Sequence, residues 1–220
     1  MIKAVLMDLD NTLIDFMKMK RKASEAAVTG MMDAGLKMNK KKALEILYKL
    51  YFKHGIENQN IFNEFLRETT GSVDIRLLAA AVVAYRKGKG GMLQPYTSVV
   101  PTLKKLKAKY KLAIVTDAPK FQAWTRLYEL GIDKFFNFVL TPEDTGSTKP
   151  SGIPFRIAID KLKMKPSEIA VVGDWISRDI IPAKSLGLRT ILAKYGQVWK
   201  EVGKADYEIK SFTDIMECLK

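Results

Sequence analysis

The chain has 220 residues, of which 47% are hydrophobic and 28% are charged, and it contains one cysteine. These values exclude a collagen-like repeat and an intramolecular disulfide, and they are typical of a globular protein rather than a disordered one. No apolar run reaches the roughly 18 residues that a membrane span needs, and the first ten residues lack the cleavage region of a secretory signal. The sequence therefore predicts a cytoplasmic protein without a membrane partner.

The formal net charge of +13 raises the possibility of an anionic partner, including nucleic acid. The densest basic runs, 18–22 and 40–42, fall within helical patterns and lack interleaved aromatic residues. Solvated helix faces explain such runs, so the sequence disfavours nucleic-acid binding. The lone histidine, His54, and the lone cysteine, Cys218, are expected to be structural or surface residues.

The first predicted element is a buried strand over Lys3 to Met7, whose apolar run is continuous as in a parallel sheet covered on both faces. A long helical tract follows. Its apolar spacing predicts four helices, which suggest a bundle: 15–34 with an interruption at Gly30, 40–54 after the N-cap Asn39, 61–69, and 74–86. The glycine-rich run 87–91 is then expected to form a flexible return connection.

Beyond residue 91, strands and helices alternate. Strands are predicted at 112–116, 138–141, 169–173, 190–193 and 207–209, with helices at 99–109, 121–130, 153–163, 177–186 and 212–219. This alternation predicts a doubly wound parallel, Rossmann-like α/β sheet. The expected organisation is an α/β core formed by residues 1–14 and 91–220, with an α-helical bundle inserted at 15–90. Neither a P-loop nor a G-x-G-x-x-G motif is present.

Polar residues follow the predicted strands where a parallel sheet carries its binding crevice. They are Asp8 and Asp10 after the first strand, Thr116 and Asp117 after the second, Lys149 after the third, and Asp174 and Asp179 after the fourth. Five acids and one lysine at one edge would repel one another, so a divalent cation is implied, and Mg²⁺ is the default because no histidine or cysteine donor is available. A calcium loop starting at Asp8 is excluded because Leu13 stands where glycine is required.

These residues, in this order, resemble the four motifs of the haloacid dehalogenase (HAD) superfamily of phosphotransferases. The motifs are Asp8-x-Asp10-x-Thr12, Thr116, Lys149-Pro150, and Gly173-Asp174 followed by Asp179. The resemblance covers the whole chain, since the helical insert after the first strand looks like the family's C1 cap. Asp10 favours phosphate chemistry, because the haloalkanoate dehalogenases of the family lack an acid at that position.

The resemblance implies a role for each catalytic residue. Asp8 would be the nucleophile that forms an aspartyl-phosphate, and Asp10 would protonate the leaving oxygen and then take a proton from water. Thr116 and backbone N–H groups near Asp117 would bind the phosphoryl oxygens. Lys149 would offset charge around Asp8 and the transferred group.

The resemblance also implies a ligand set for Mg²⁺. The Asp8 carboxylate, the Asp10 backbone carbonyl and Asp174 would bind the ion, and Asp179 would hold metal-bound water or orient a ligand. Trp175 departs from the small polar residue common at its position, and either narrowing of the site or simple packing would explain it. Arg178 is expected to be a solvated helix residue, with a phosphate contact as the alternative.

The expected function is magnesium-dependent hydrolysis of a small phosphorylated metabolite, a phosphomonoester. A sugar phosphomutase of the same superfamily and a non-enzymatic basic nucleic-acid-binding protein are the alternatives. Residues Phe16 to Arg21 are expected to face the core and help select the substrate, with packing of the helical bundle as the competing explanation. A monomer and a homodimer both remain open.

Overall fold

The computed structural model describes residues 1–220, and its central feature is a six-stranded parallel sheet. The strand order is β3-β2-β1-β4-β5-β6. The strands are β1 Ala4–Met7, β2 Lys111–Val115, β3 Phe138–Leu140, β4 Ile169–Gly173, β5 Arg189–Ala193 and β6 Tyr207–Ile209. The predicted doubly wound α/β fold is confirmed, and every predicted strand lies within one residue of its observed bounds.

The chain divides into two compact units. One comprises Met1–Phe16 and Gln94–Lys220, and the other comprises Met17–Leu93. The first unit contains the sheet and the later helices. These are α5 Val99–Lys107, α6 Lys120–Glu129, α7 Pro142–Thr145, α8 Ile153–Leu162, α9 Ile181–Ser185 and α10 Ile215–Cys218, numbered after the four helices α1 to α4 of the earlier tract.

The register of the sheet brings the ends of three strands to one level. Met7, the last residue of β1, pairs with Ile114 of β2 and with Val172 of β4. All four residues of β1 are buried, because strands lie on both sides and helices cover the sheet. The residues that follow these strands therefore emerge at the same edge.

The helical tract forms α1 Phe16–Asp33, α2 Lys40–His54, α3 Ile61–Thr70 and α4 Ile75–Lys89. The Asn39 side chain accepts from the backbone N–H groups of Lys41 and Lys42, which confirms the predicted N-cap of α2. Apolar residues from all four helices share one core, including Met31, Leu47 and Phe65.

Two glycine predictions in this tract were wrong. Gly30 does not interrupt α1, and α4 continues beyond Arg86 through Gly88. Both glycines lie where α1 and α4 pack closely: a Cβ on Gly30 would stand 2.6 Å from Cβ of Ala84, and one on Gly88 would stand 2.6 Å from Cβ of Ala26. Packing therefore outweighs the low helix propensity of glycine here. None of the helices has the length and apolar character needed to cross a membrane.

Candidate active site

Asp8 is the first residue after the central strand β1, and it is buried. Its backbone N–H donates to the carbonyl of Val172, which extends the pairing with β4 by one residue. The hydroxyl of Thr12 donates to Oδ2 of Asp8 at 3.1 Å. Between them the chain turns through Asn11, which has a left-handed φ of 59°, a conformation that asparagine tolerates better than most residues.

Lys149 begins a short 3-10 turn, Lys149–Ser151, and its ammonium reaches the Asp8 carboxylate. Its Nζ lies 2.5 Å from Oδ1 of Asp8 and 2.5 Å from Oδ1 of Asp179, and all three side chains are buried. Burial alone would lower the pKa of Lys149, but the charges of Asp179 and Asp8 raise it above its ordinary value. The lysine therefore stays protonated and acts as a fixed positive charge.

Three buried carboxylates, those of Asp8, Asp174 and Asp179, each offer an oxygen within 4.8 Å of the others. Burial and the charges of Asp8 and Asp179 raise the pKa of Asp174 well above its usual range. Burial also raises the pKa of Asp179 to about 7, reinforced by Asp8 and opposed by Lys149. Oδ2 of Asp174 is buried without a hydrogen-bond partner. One lysine does not balance three carboxylates, so these residues fit a divalent cation with oxygen ligands.

A single π-helical turn, Ile176–Ile180, follows β4 closely and places Asp179 in this cluster. Its Oδ2 accepts from the backbone N–H of Trp175 at 3.0 Å. Gly173 leaves the space for its carboxyl group, since a Cβ there would stand 2.3 Å from Cγ of Asp179. Single π-turns frequently occur at functional sites, and this one brings a residue five positions beyond Asp174 back beside it.

Asp10 points to a different partner. Its Oδ2 lies 2.5 Å from Nη1 of Arg126, a buried residue of α6. The guanidinium carbon of Arg126 lies 4.5 Å from the centre of the Phe16 ring. We expected five acids to converge on one lysine; instead the Asp10 carboxylate is paired with an arginine that the sequence analysis did not identify.

Thr116 and Asp117 follow β2, and both are tied into this edge of the sheet. Oγ1 of Thr116 accepts from the backbone N–H of Ala118 at 3.1 Å. Oδ1 of Asp117 accepts from the backbone N–H of Lys149 at 2.8 Å, and Oδ2 lies 3.3 Å from Nη1 of Arg178. Asp117 therefore fixes the backbone of the turn that supplies the lysine.

Trp175 packs rather than standing open beside the cluster. Its ring stacks on Trp199 with centroids 4.1 Å apart, and the guanidinium of Arg178 lies 4.1 Å from its centroid. Its indole N–H donates to Glu201 at 2.7 Å. The structure supports the packing explanation for Trp175, and Arg178 is a half-exposed partner of Asp117 and Trp175.

The loop after β5 packs against the turn that carries Asp8 and Asp10. The hydroxyl of Tyr195 donates to the carbonyl of Thr12 at 2.6 Å, and burial raises the pKa of Tyr195, so it remains a donor. Gly196 lies against Asn11: a Cβ on this glycine would stand 1.5 Å from the Asn11 carbonyl oxygen. No spacing in the sequence links residues 195 and 196 to residue 11, so these contacts could not be predicted.

The parallel sheet with a carboxylate cluster at its strand ends is the arrangement that the motif resemblance predicted. A family model described as haloacid dehalogenase-like hydrolase matches residues 5–193. The chain belongs to this hydrolase family, and the resemblance is confirmed.

Relatives of known description support the same assignment. The chain is 33% identical to a glyceraldehyde 3-phosphate phosphatase of Methanocaldococcus jannaschii, over 100% of this chain and 98% of that protein. It is 34% identical to the protein of the same name from Methanopyrus kandleri, over 96% and 92%. A crystal structure of a HAD phosphatase from Thermococcus onnurineus matches with a TM-score of 0.72 and 26% identity, over 99% and 98%.

Proposed function

We propose that the protein is a magnesium-dependent phosphatase that hydrolyses a small phosphomonoester through an aspartyl-phosphate at Asp8. The observation that carries this proposal is the setting of the Asp8 carboxylate, which contacts the Lys149 ammonium and lies within 4.8 Å of two further buried acids. A carboxylate beside a fixed positive charge and a cation site can approach an anionic phosphate, which it could not do alone.

In the first step, an oxygen of Asp8 attacks phosphorus, the bond from phosphorus to the ester oxygen breaks, and the leaving oxygen takes a proton from Asp10. In the second step, water attacks the phosphorus and gives a proton to Asp10, the bond between Asp8 and phosphorus breaks, and inorganic phosphate is released. The ammonium of Lys149 and the Thr116 hydroxyl would bind the phosphoryl oxygens. Backbone N–H groups near Asp117 would complete this phosphate site.

The Asp8 and Asp174 carboxylates and the Asp10 backbone carbonyl would hold Mg²⁺, with Asp179 beside them. The buried, unpartnered Oδ2 of Asp174 supports this assignment. The ion would offset the negative charge of the phosphate and the carboxylates.

The substrate class that we propose is a small sugar phosphate such as a triose phosphate. Support comes from the names of the relatives that match essentially the whole chain. We propose that the helical insert at 15–90 is a cap that selects the substrate through residues Phe16 to Arg21. Within the helical unit, Lys18 is exposed and Met17 is buried, so these two residues allow a surface contact and bundle packing to be tested separately.

The test is phosphate release from 4-nitrophenyl phosphate and from glyceraldehyde 3-phosphate, with Mg²⁺ and with a chelator. We expect metal-dependent turnover that Asp8→Asn reduces below detection, with an unchanged melting temperature. Asp160→Asn, which removes an exposed acid on α8, is the matched control and should keep full activity. Turnover by Asp8→Asn, or transfer of the phosphoryl group to a second sugar without release of phosphate, would contradict the proposal.

A further inference from the structure

Arg126 is a buried arginine that forms an ion pair with Asp10, the second acid of the first motif. Only 2% of the residue is exposed, although it lies near the end of the surface helix α6. Its Nη1 lies 2.5 Å from Oδ2 of Asp10, and its guanidinium lies over the ring of Phe16. Burying a guanidinium costs free energy unless it is paired with an acid. Once paired, its planar N–H groups form a rigid set of hydrogen-bond donors.

The two acids of the first motif therefore have separate cationic partners. Asp8 contacts the Lys149 ammonium and the Thr12 hydroxyl, and it belongs to the buried carboxylate cluster. Asp10 contacts Arg126, and its side chain is 20% exposed. Asp8 and Asp10 therefore differ in their surroundings as well as in their position in the motif.

We propose that Arg126 is a positioning residue for proton transfer by Asp10; this inference rests on the proposed phosphatase function. The hydrogen bond from Arg126 occupies Oδ2 and fixes the plane of the carboxyl group. In the proposed mechanism this carboxyl group exchanges a proton with the leaving oxygen and then with water, so its orientation matters for both transfers. The guanidinium acts through Asp10 and does not itself contact the substrate.

The leaving group of the substrate separates this role from a purely structural one. An alkoxide leaving group needs protonation, whereas 4-nitrophenolate departs readily without a proton. General acid catalysis contributes about 10²- to 10⁴-fold where it is needed. Loss of its positioning should therefore reduce the rate with an alkyl phosphate much more than with an aryl phosphate, while general damage to the fold would reduce both equally.

The experiment measures kcat/KM of Arg126→Met for glyceraldehyde 3-phosphate and for 4-nitrophenyl phosphate. This parameter reports the steps up to formation of the aspartyl-phosphate, in which the leaving group departs. We expect a fall of about 10²-fold or more with the alkyl ester and about fivefold or less with the aryl ester. Arg126→Lys, which retains the charge without the planar guanidinium, is the second variant and is used if Arg126→Met folds poorly. Its ratio of kcat/KM for the alkyl ester to kcat/KM for the aryl ester should lie between the ratios of the unmodified protein and of Arg126→Met.

A double-mutant cycle with Asp10→Asn completes the test. If Arg126 acts through Asp10, then Arg126→Met should cause little further loss with the alkyl ester once Asp10 is already changed. Arg189→Met is the matched control: Arg189 donates to the carbonyls of Cys218 and Lys220 near the C-terminus, away from Asp10. It should leave the ratio of the two substrates unchanged.

The inference is overturned if Arg126→Met lowers kcat/KM for both esters by the same factor, or if its effect is undiminished in the Asp10→Asn background. Failure of the proposed function itself is recognised separately. In that case the unmodified protein would release no phosphate from either ester in the presence of Mg²⁺.

Discussion

The substitution Gly196→Ala offers the sharpest test of how the turn that carries Asp8 and Asp10 is held in place. The φ of Gly196 lies outside the left-handed region, so the backbone conformation itself would accept alanine. Space is what excludes a side chain. An added Cβ would stand 1.5 Å from the carbonyl oxygen of Asn11 and 2.6 Å from its carbonyl carbon, and both of those atoms belong to the backbone.

The required displacement follows from these distances. Cβ contacts under 3.0 Å are essentially never observed, so the loop after β5 and the Asn11 backbone must separate by about 1.5 Å. Asn11 lies between Asp10 and Thr12, and Thr12 hydrogen-bonds to Asp8. Misplacement of catalytic groups by about 1 Å can cost about 10²-fold in rate, and overpacking costs about 1 to 3 kcal/mol of stability.

We therefore expect Gly196→Ala to lower kcat about 10²-fold with 4-nitrophenyl phosphate. The melting temperature should fall by about 2 to 4 °C for each kcal/mol lost. Gly90→Ala is the matched control, because its Cβ would meet the Lys87 carbonyl oxygen at an ordinary 3.5 Å. If Gly196→Ala keeps at least half of the original kcat, the contact with Asn11 does not position the turn that carries Asp8 and Asp10, and the reasoning fails.

Three further predictions concern the acid cluster and the helical unit. Gly173→Ala should weaken Mg²⁺ binding about 10- to 100-fold in titration calorimetry, because the added Cβ displaces Asp179; an unchanged Kd would contradict this. The metal-free protein should lose stability as pH rises from about 4 to 7: burial raises the pKa of Asp179 to about 7 and also raises that of Asp174, so the folded state binds more protons than the unfolded state in this range. Melting curves in a chelator should show the loss and melting curves with Mg²⁺ should not, and a flat metal-free profile would refute it. Gly30→Val should cost about 1 to 3 kcal/mol in urea unfolding, because the added side chain meets Ala84 across the helix pair; a smaller loss would show that the two helices separate easily.

The sheet could be predicted because its signals are local. A continuous apolar run such as 4–7 is buried on both faces, and the acid that follows it must stand at the strand end. The helix starts at Asn39 and Asp74 could be read in the same way, since each side chain accepts from N–H groups two and three residues further on. These features depend on neighbours in the chain.

The features that the sequence did not reveal depend on contacts between distant residues. Arg126 and Asp10 are 116 positions apart, and α6 gives no local sign that its single arginine is buried. The continuation of α4 through Gly88 depends on Ala26 of α1. From the sequence alone, Arg126 is explained as a surface charge and Gly88 as the end of a helix. Only the packing in the folded protein shows that both explanations are wrong.

The first motif shows why spacing alone could not separate its two acids. In an extended strand, residues two apart point to the same side, so Asp8 and Asp10 would be expected to share one environment. The strand ends at Met7, however, and the N–H groups of Leu13 and Ile14 both donate to the carbonyl of Leu9, which closes a tight turn. Asp10 leaves this turn toward Arg126, while Asp8 stays beside Lys149. The turn, rather than the strand, therefore gives two identical side chains, two residues apart, different cationic partners.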